Sequence, residues 1–250
     1  MRDPATGTRL DLNGDRLFHA ASTMKVPVMI ELYRQARLGR FSLDDSLLVE
    51  NAFRSIVDGS PYRIEDDSDD AIYERLGQQM AIRDLIYQMI TVSSNLATNL
   101  LIGYVSADSV QATIERMGTR EMRVLRGVED IKAYRQGLSN SATSSDLAVL
   151  LQALMENRAV SDEDDVEMID ILLDQRFNEM IPAGLPEGVR AAHKTGSITR
   201  INHDAAIVLP DDADPYVLVL LTEGIDDHAV SAALGARITA LVHARLRGSR

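Results

Sequence analysis

Three lysines stand against 23 arginines in this chain, and two of the three lie in short motifs suited to acyl transfer. Lys25 closes Ser22-Thr23-Met24-Lys25 and Lys194 opens Lys194-Thr195-Gly196, whereas Lys132 has no such setting. A buried ammonium can give up its proton; a guanidinium cannot. Lysines kept in an arginine-rich chain are therefore candidates for proton transfer. Lys25 follows Ser22 at i+3, on the same face of a helix that the apolar spacing downstream predicts. A serine hydroxyl is a poor nucleophile until a base takes its proton, and a lysine held neutral one turn away is such a base. The start of a helix adds backbone N–H groups and positive potential where an oxyanion would form. The plainer reading makes Ser22 a helix cap and Lys25 a solvated side chain, since S-x-x-K arises by chance roughly once in a chain this long.

Two further triplets favour the chemical reading. Ser93-Ser94-Asn95 falls between two helical patterns, and Lys194-Thr195-Gly196 ends a predicted strand. There glycine lets substrate approach the strand backbone, Lys194 offers fixed positive charge, and Thr195 offers a hydroxyl to a substrate carboxylate. The separations are 71 residues from Ser22 to Ser93 and 101 from Ser93 to Lys194. Each triplet is weak alone, but their order and spacing are hard to assign to chance.

The elements that must position these residues follow from hydrophobic period. Residues 9–18 read as a strand after a turn at 3–8, 24–38 as a helix stopped by Gly39, and Ser42 as the cap of a second short helix. Residues 58–71 form a Gly-, Ser- and Asp-rich loop; 81–89 and 96–104 are helical, and 126–142 is irregular. Helices follow over 144–155 and after Ser161, where an acidic first turn suits the positive end of a helix dipole. Residues 191–194, 205–209 and 216–221 read as strands, with a turn at 210–215, and 227–247 as a long C-terminal helix. This order implies a discontinuous α/β sheet domain (1–24 and 188–250) around an all-helical domain (25–187), with the active site at their interface. A chain that opens on a turn leads us to expect the preceding strand, and an export signal, upstream.

Composition narrows the function classes. With 250 residues, 45% of them apolar, the chain has ample material for a packed core. A net charge of −12 argues against nucleic acid or an anionic membrane as partner. No apolar run reaches the length of a membrane span. The absence of cysteine removes disulfides, thiolate nucleophiles and cysteine-bound zinc. The acidic loop at 65–70 lacks the glycine and closing glutamate of an EF-hand and reads as a solvated surface loop. The five histidines (His19, His193, His203, His228, His243) form no metal-binding pair, and no phosphate-cradling glycine loop is present. Neither a metal nor a cofactor is expected.

With these motifs in this order, the chain resembles the class A β-lactamase-like serine hydrolases and the penicillin-binding proteins over nearly its whole length. Leu43-Asp44-Asp45 is also similar to family sequence. The resemblance implies a β-lactamase/transpeptidase-like α/β (α+β) fold: an antiparallel sheet flanked by helices, packed on an all-α domain. It implies acylation of Ser22, with Lys25 as base or relay, Ser93 passing a proton to the leaving nitrogen, and Asn95 holding the substrate amide. Lys194, Thr195, Gly196 and Ser197 would bind substrate, and the N–H groups of Ser22 and Ser197 would form the oxyanion hole. It further implies a small β-lactam or peptide-like substrate, a monomer, and a periplasmic or secreted location given an upstream signal.

β-Lactamases of this class also need a glutamate that activates the deacylating water. Glu129, 36 residues after Ser93 on the irregular stretch, is the candidate; a surface carboxylate in an acidic protein is the alternative reading. The family pattern R-x-E-x-x-L-N is not met. Glu129 stands one residue further from Arg126, and Lys132-Ala133 replaces Leu-Asn, which leaves Asn140 to supply an asparagine. Ser94 stands where β-lactamases usually have aspartate. His203-Asp204 stands where a carboxylate-binding arginine is common, with Arg200 as a substitute. These departures bear on deacylation and substrate choice, not on acylation. A D-alanyl-D-alanine peptidase or esterase, and a β-lactam sensor that acylates without turnover, are therefore the alternatives to a β-lactamase.

Overall fold

A computed structural model describes residues 1–211 and 213–248. The chain opens with β1 (Arg2–Asp3), β2 (Thr8–Arg9) and β3 (Phe18–His19), passes a 3-10 turn (Ala21–Met24), and enters helix α1 (Lys25–Arg37). Short strands β4 (Ser46–Leu48), β5 (Phe53–Arg54), β6 (Pro61–Tyr62) and β7 (Gln79–Ala81) precede α2 (Ile82–Thr91), α3 (Asn95–Val105) and α4 (Ala107–Arg116). Then come α5 (Ile131–Arg135), β8 (Ser141–Ala142), α6 (Ser144–Met155) and α7 (Asp162–Leu173). The chain closes with β9 (Arg190–Ile198), β10 (Ile201–Leu209), β11 (Tyr216–Glu223) and α8 (His228–Arg247).

Strands from both ends of the chain make one antiparallel sheet in the order β2-β1-β11-β10-β9. This mixed architecture, sheet and helices together, matches the expected fold class. Period-2 alternation sends the sheet's side chains to two cores. Ala192, Ala205, Ile207, Val217 and Val219 join the main core with the helices, while Ala191, Ala206, Val208 and Leu218 join a smaller cluster with Ile181, Val242 and Leu246. Helices α6 and α7 pack on the sheet from the main-core side.

Helix α1 is the centre of the helical layer. Val26, Val28, Met29, Ile30, Leu32 and Tyr33 are all buried, and so are Lys25, Glu31 and Gln35, so the helix is enclosed nearly all round. Each such side chain contributes about 1.5–3 kcal/mol on burial. Pro27 is tolerated because its missing N–H falls in the first turn, where that group has no helical acceptor. This packing fixes the helix that carries Lys25.

Several local expectations are corrected. Residues 9–18 do not form a continuous strand; β2 and β3 are separate two-residue strands. Ser42 caps no helix. Its N–H donates to Asp45 Oδ2 and its Oγ accepts from Asp44 N, which makes a turn before β4. The irregular stretch 126–142 contains α5 and β8, and α4 follows α3 after one residue, where Ser106 at φ 68° breaks the helix. The expected turn at 210–215 includes Asp212, which lies outside the described residues.

Candidate active site

Ser22 sits in the 3-10 turn that leads directly into α1, and that turn is held from several sides. Ala20 N donates to Asn140 O (2.9 Å), Ala21 N to His19 Nδ1 (3.0 Å), and Thr23 Oγ1 to Ala20 O (2.6 Å). Ala21 lies at φ 45°, Ser93 at φ 60° and Glu129 at φ 61°. Non-glycine residues in the left-handed region cost on the order of 1–3 kcal/mol each and gather where function holds them. Here all three lie at, or next to, residues singled out from sequence.

Lys25 is fully buried and ties three segments together. Its Nζ donates to Ser93 O (2.6 Å) and Asn95 Oδ1 (2.9 Å), and lies 3.1 Å from Ser93 Oγ. Burial lowers its pKa to about 7, against the opposing pull of Asp67 and Glu129. A neutral amine has two N–H donors and one lone pair. Its three partners suit the ammonium or the neutral amine, since the Ser93 hydroxyl both donates and accepts.

Lys194, also fully buried, approaches the same hydroxyl from the sheet. Its Nζ lies 3.1 Å from Ser93 Oγ and donates to Thr195 O (3.0 Å). Burial first, then Lys25, holds its pKa well below the ordinary lysine value. Both causes work against the fixed positive charge expected of Lys194. Behind it, His193 Nδ1 lies 2.8 Å from Asp204 Oδ1, and Asp204 Oδ2 accepts from Ile181 N (3.0 Å).

Gly196 meets a tighter constraint than substrate access. A Cβ there would come within 3.1 Å of both Ser22 N and Thr23 N. Glycine lets β9 pack against the backbone of the Ser22 turn, and Ser197 follows on the open side.

The Ser93–Asn95 segment is positioned by the acidic loop, which is more than a solvated surface. Asp67 accepts from Asn95 N (2.8 Å) and Leu96 N (2.9 Å), capping α3, and Ser94 Oγ accepts from Ala97 N (3.3 Å). Ser68 Oγ donates to Val92 O (2.6 Å). Asp67 is thus a positioning residue that motif reading missed, because it sits 28 residues from Asn95 in sequence.

Glu129 is half-buried. Its carboxyl is pushed above the usual glutamate range by burial, then by Asp66 and Asp67, while Lys25 and Arg126 oppose the shift. Glu129 and Lys25 attract each other electrostatically, and Glu129 is not among the described residues that line the cleft over Ser22. Two asparagines grip this loop: at Val128, whose N donates to Asn99 Oδ1 (2.6 Å) and whose O accepts from Asn99 Nδ2 (3.0 Å), the asparagine is Asn99. Asn140 instead holds Leu125 and Arg126. The neighbouring Asp130 is buried and committed to Ala133 N, Ile56 N and Ser55 Oγ.

A cleft of about 600 Å³ opens over these groups, lined by Ser22, Ser93, Asn95, Thr195 and Ser197. Asp66, Asp67, Glu179, Asn202 and His228 also line it and were not anticipated. Arg200 does not reach the cleft; it is exposed, pairs with Asp226 (2.8 Å), and donates to Gly224 O (3.1 Å). His203 is buried and structural. Its Nδ1 accepts from Thr222 N (3.2 Å), so Nε2 carries the proton to His19 O (3.0 Å), and burial lowers its pKa to about 4.

Comparison with known proteins identifies the family and agrees with the fold. Residues 1–246 match the profile of the beta-lactamase enzyme family. A β-lactamase of Rhodobacter capsulatus is 24% identical over 90% of this chain and 74% of its own length. The FAR-1 β-lactamase of Nocardia farcinica is 25% identical over 98% of this chain and 76% of its own. Among solved structures, a β-lactamase from Sphaerobacter thermophilus shares 31% identity at a TM-score of 0.81, covering 96% of this chain and 87% of that one. The structure titled PBP-A, at 24% identity and a TM-score of 0.84 over 98% of this chain and 87% of its own, shares the fold. On the match over residues 1–246, the chain belongs to the beta-lactamase enzyme family.

Proposed function

We propose that this protein is a serine hydrolase that opens β-lactams through an acyl-enzyme on Ser22. The observation that carries the reading is Lys25: fully buried, bonded to both Ser93 and Asn95, and with a pKa lowered to about 7 by burial. A lysine so placed exists partly as free amine near neutrality, one helical turn from the serine.

Neutral Lys25 accepts the Ser22 hydroxyl proton as Oγ attacks the lactam carbonyl. The oxyanion faces the N–H groups of Ser22 and Ser197. The proton then passes from Lys25 by way of Ser93 Oγ to the lactam nitrogen, and the C–N bond breaks. Glu129 takes a proton from water as the water oxygen attacks the acyl ester; the ester C–O bond breaks, and Ser22 Oγ takes a proton back as Glu129 gives it up. Asn95, Thr195 and Lys194 hold the substrate's amide and carboxylate.

A second reading, acylation with slow or no deacylation, draws support from the altered sequence around Glu129. A point mutant of PBP-A, solved as an acyl-enzyme complex with penicillin G, has this fold at 24% identity. Rapid mixing with a chromogenic cephalosporin separates the two. The β-lactamase reading expects an initial burst followed by sustained turnover. A burst that stalls favours the second reading, and no reaction at all removes both.

A further inference from the structure

Residues 175–181, between α7 and the 3-10 turn at Pro182–Gly184, belong to no helix or strand, so their backbone groups must find partners elsewhere. Gln175 Nε2 donates to Ile90 O (2.8 Å), and its Oε1 accepts from Arg176 N (2.9 Å) and Phe177 N (3.2 Å). Arg176 N also donates to Thr91 O (3.0 Å). Asn178 Nδ2 donates to Gln175 O (3.1 Å), which turns Asn178 Oδ1 towards His193 Nε2, 3.1 Å away. Ile181 N closes the loop on Asp204, the other partner of His193. We propose that Gln175, Asn178 and His193 form a brace that positions this loop as a specificity-determining wall. Its Phe177 and Met180 would limit the size of the group that the substrate carries next to its carboxylate.

Strand period fixes which end of the cleft the loop bounds. His193, Thr195 and Ser197 share one face of β9, since side chains alternate along a strand. The loop lies against that face: His193 and Asp204 hold it, and Ile181 packs in the smaller core with Ala191 and Ala206. Phe177 and Met180 line the cleft together with Thr195 and Ser197. Met180 is backed by α8, where a Cβ on Gly235 would come within 2.3 Å of its Cγ. Phe177 belongs to neither hydrophobic core, so its place depends on the hydrogen bonds of its neighbours.

The brace also joins the two sides of the site. Gln175 holds the last turn of α2, just before Ser93, and His193 precedes Lys194 on β9. Gln175, His193 and Asp204 are all buried, where hydrogen bonds are directional and an unmet partner is costly. An apolar contact would hold the loop without fixing its distance from β9. The proposal rests on the serine acyl-transfer reading above, in which Asn95 holds the substrate amide and Thr195 the carboxylate end. The group next to that carboxylate then faces Phe177 and Met180.

The test measures acylation of Ser22 by two cephalosporins with the same acylamino side chain. One carries a methyl and the other a bulky heteroarylthiomethyl group on the ring carbon next to the carboxylate. Intact-protein mass spectrometry gives the second-order rate constant for each, and comparing their ratio between variant and wild type cancels the reagents' own reactivity. Asn178→Ala and His193→Phe should each raise the bulky-to-small ratio about tenfold, the lower end of what one methylene is worth in a fitted pocket. Phe177→Ala, which removes the wall and keeps the brace, should do the same. A brace that served stability alone would lower the melting temperature and slow both reagents alike. An unchanged ratio in folded Asn178→Ala or in Phe177→Ala would overturn the proposal, whether or not His193→Phe folds. If neither cephalosporin acylates wild-type Ser22, the acyl-transfer reading itself fails and the proposal falls with it.

Discussion

Lys25 and Lys194 converge on one hydroxyl, with Ser93 Oγ lying 3.1 Å from the Nζ of each. Two ammonium groups that close, both fully buried, repel each other and lack solvation, so the free site favours fewer than two protons. Ser93 is the only group in the described structure that bonds to both lysines, and a hydroxyl both donates and accepts. The arrangement is a short proton path, and its consequences can be measured.

The first is the pH dependence of acylation. Lys25 must be neutral to accept the Ser22 proton, and burial lowers its pKa to about 7. The neutral fraction therefore grows as pH rises through about 7. Burst rate constants should climb about tenfold per pH unit below that point and level off above it. A rate that falls as pH rises through neutrality would show that the ammonium is the working form.

Charge alone should not rescue Lys25. Arginine keeps the cation but cannot become a neutral base. Lys25→Arg and Lys25→Ala should both lose on the order of 10²–10⁴-fold in acylation rate, the usual contribution of one general base. Circular dichroism melts would establish that the variants fold. An arginine variant with near wild-type bursts would reduce Lys25 to a fixed charge.

Glu129 should govern the second half of the cycle. Its carboxyl is raised above the usual glutamate range by burial, and only the ionised form accepts a proton from water. Turnover should therefore fall as pH drops through a point above that range. Glu129→Gln should keep the burst and lose about 10²–10⁴-fold in steady-state turnover. Unchanged turnover would point to another base, and Asp130 is already spent on Ser55, Ile56 and Ala133.

The loop that carries Glu129 offers an independent handle. A Cβ on Gly127 would sit 2.2 Å from Asn99 Oδ1, the atom that receives Val128 N–H. Gly127→Ala should displace that clamp at a cost of about 1–3 kcal/mol in stability. Deacylation should suffer more than acylation, since Ser22 and Lys25 lie on other elements. Equal losses in both steps, read from burst and steady-state rates, would contradict a dedicated role for this loop.

Sequence made some of this legible and hid the rest for physical reasons. The long helices and the three long strands carry strong periodic patterns, and helix α1 was readable from apolar residues at helical spacing. Strands of two or three residues, such as β3 and β8, have no period to detect; they exist because distant segments pair. The motifs at Ser22, Ser93 and Lys194 are local in sequence and could be found. Asp67 and Asn99 act through contacts 28 and 29 residues away, which no local pattern records. Gly196 was read as an opening for substrate, whereas its backbone also abuts Ser22. Arg200 was plausible by position, yet the β9–β10 turn directs it to Asp226.

The central claim is that Ser22 is the acylated nucleophile. Intact-protein and peptide mass spectrometry after exposure to a fluorescent penicillin tests it most directly. The account predicts a single penicilloyl adduct on the peptide containing Ser22 in the wild type, trapped more strongly in Glu129→Gln, and none in a folded Ser22→Ala variant. An adduct that persists in Ser22→Ala, or that maps to another residue, would contradict it.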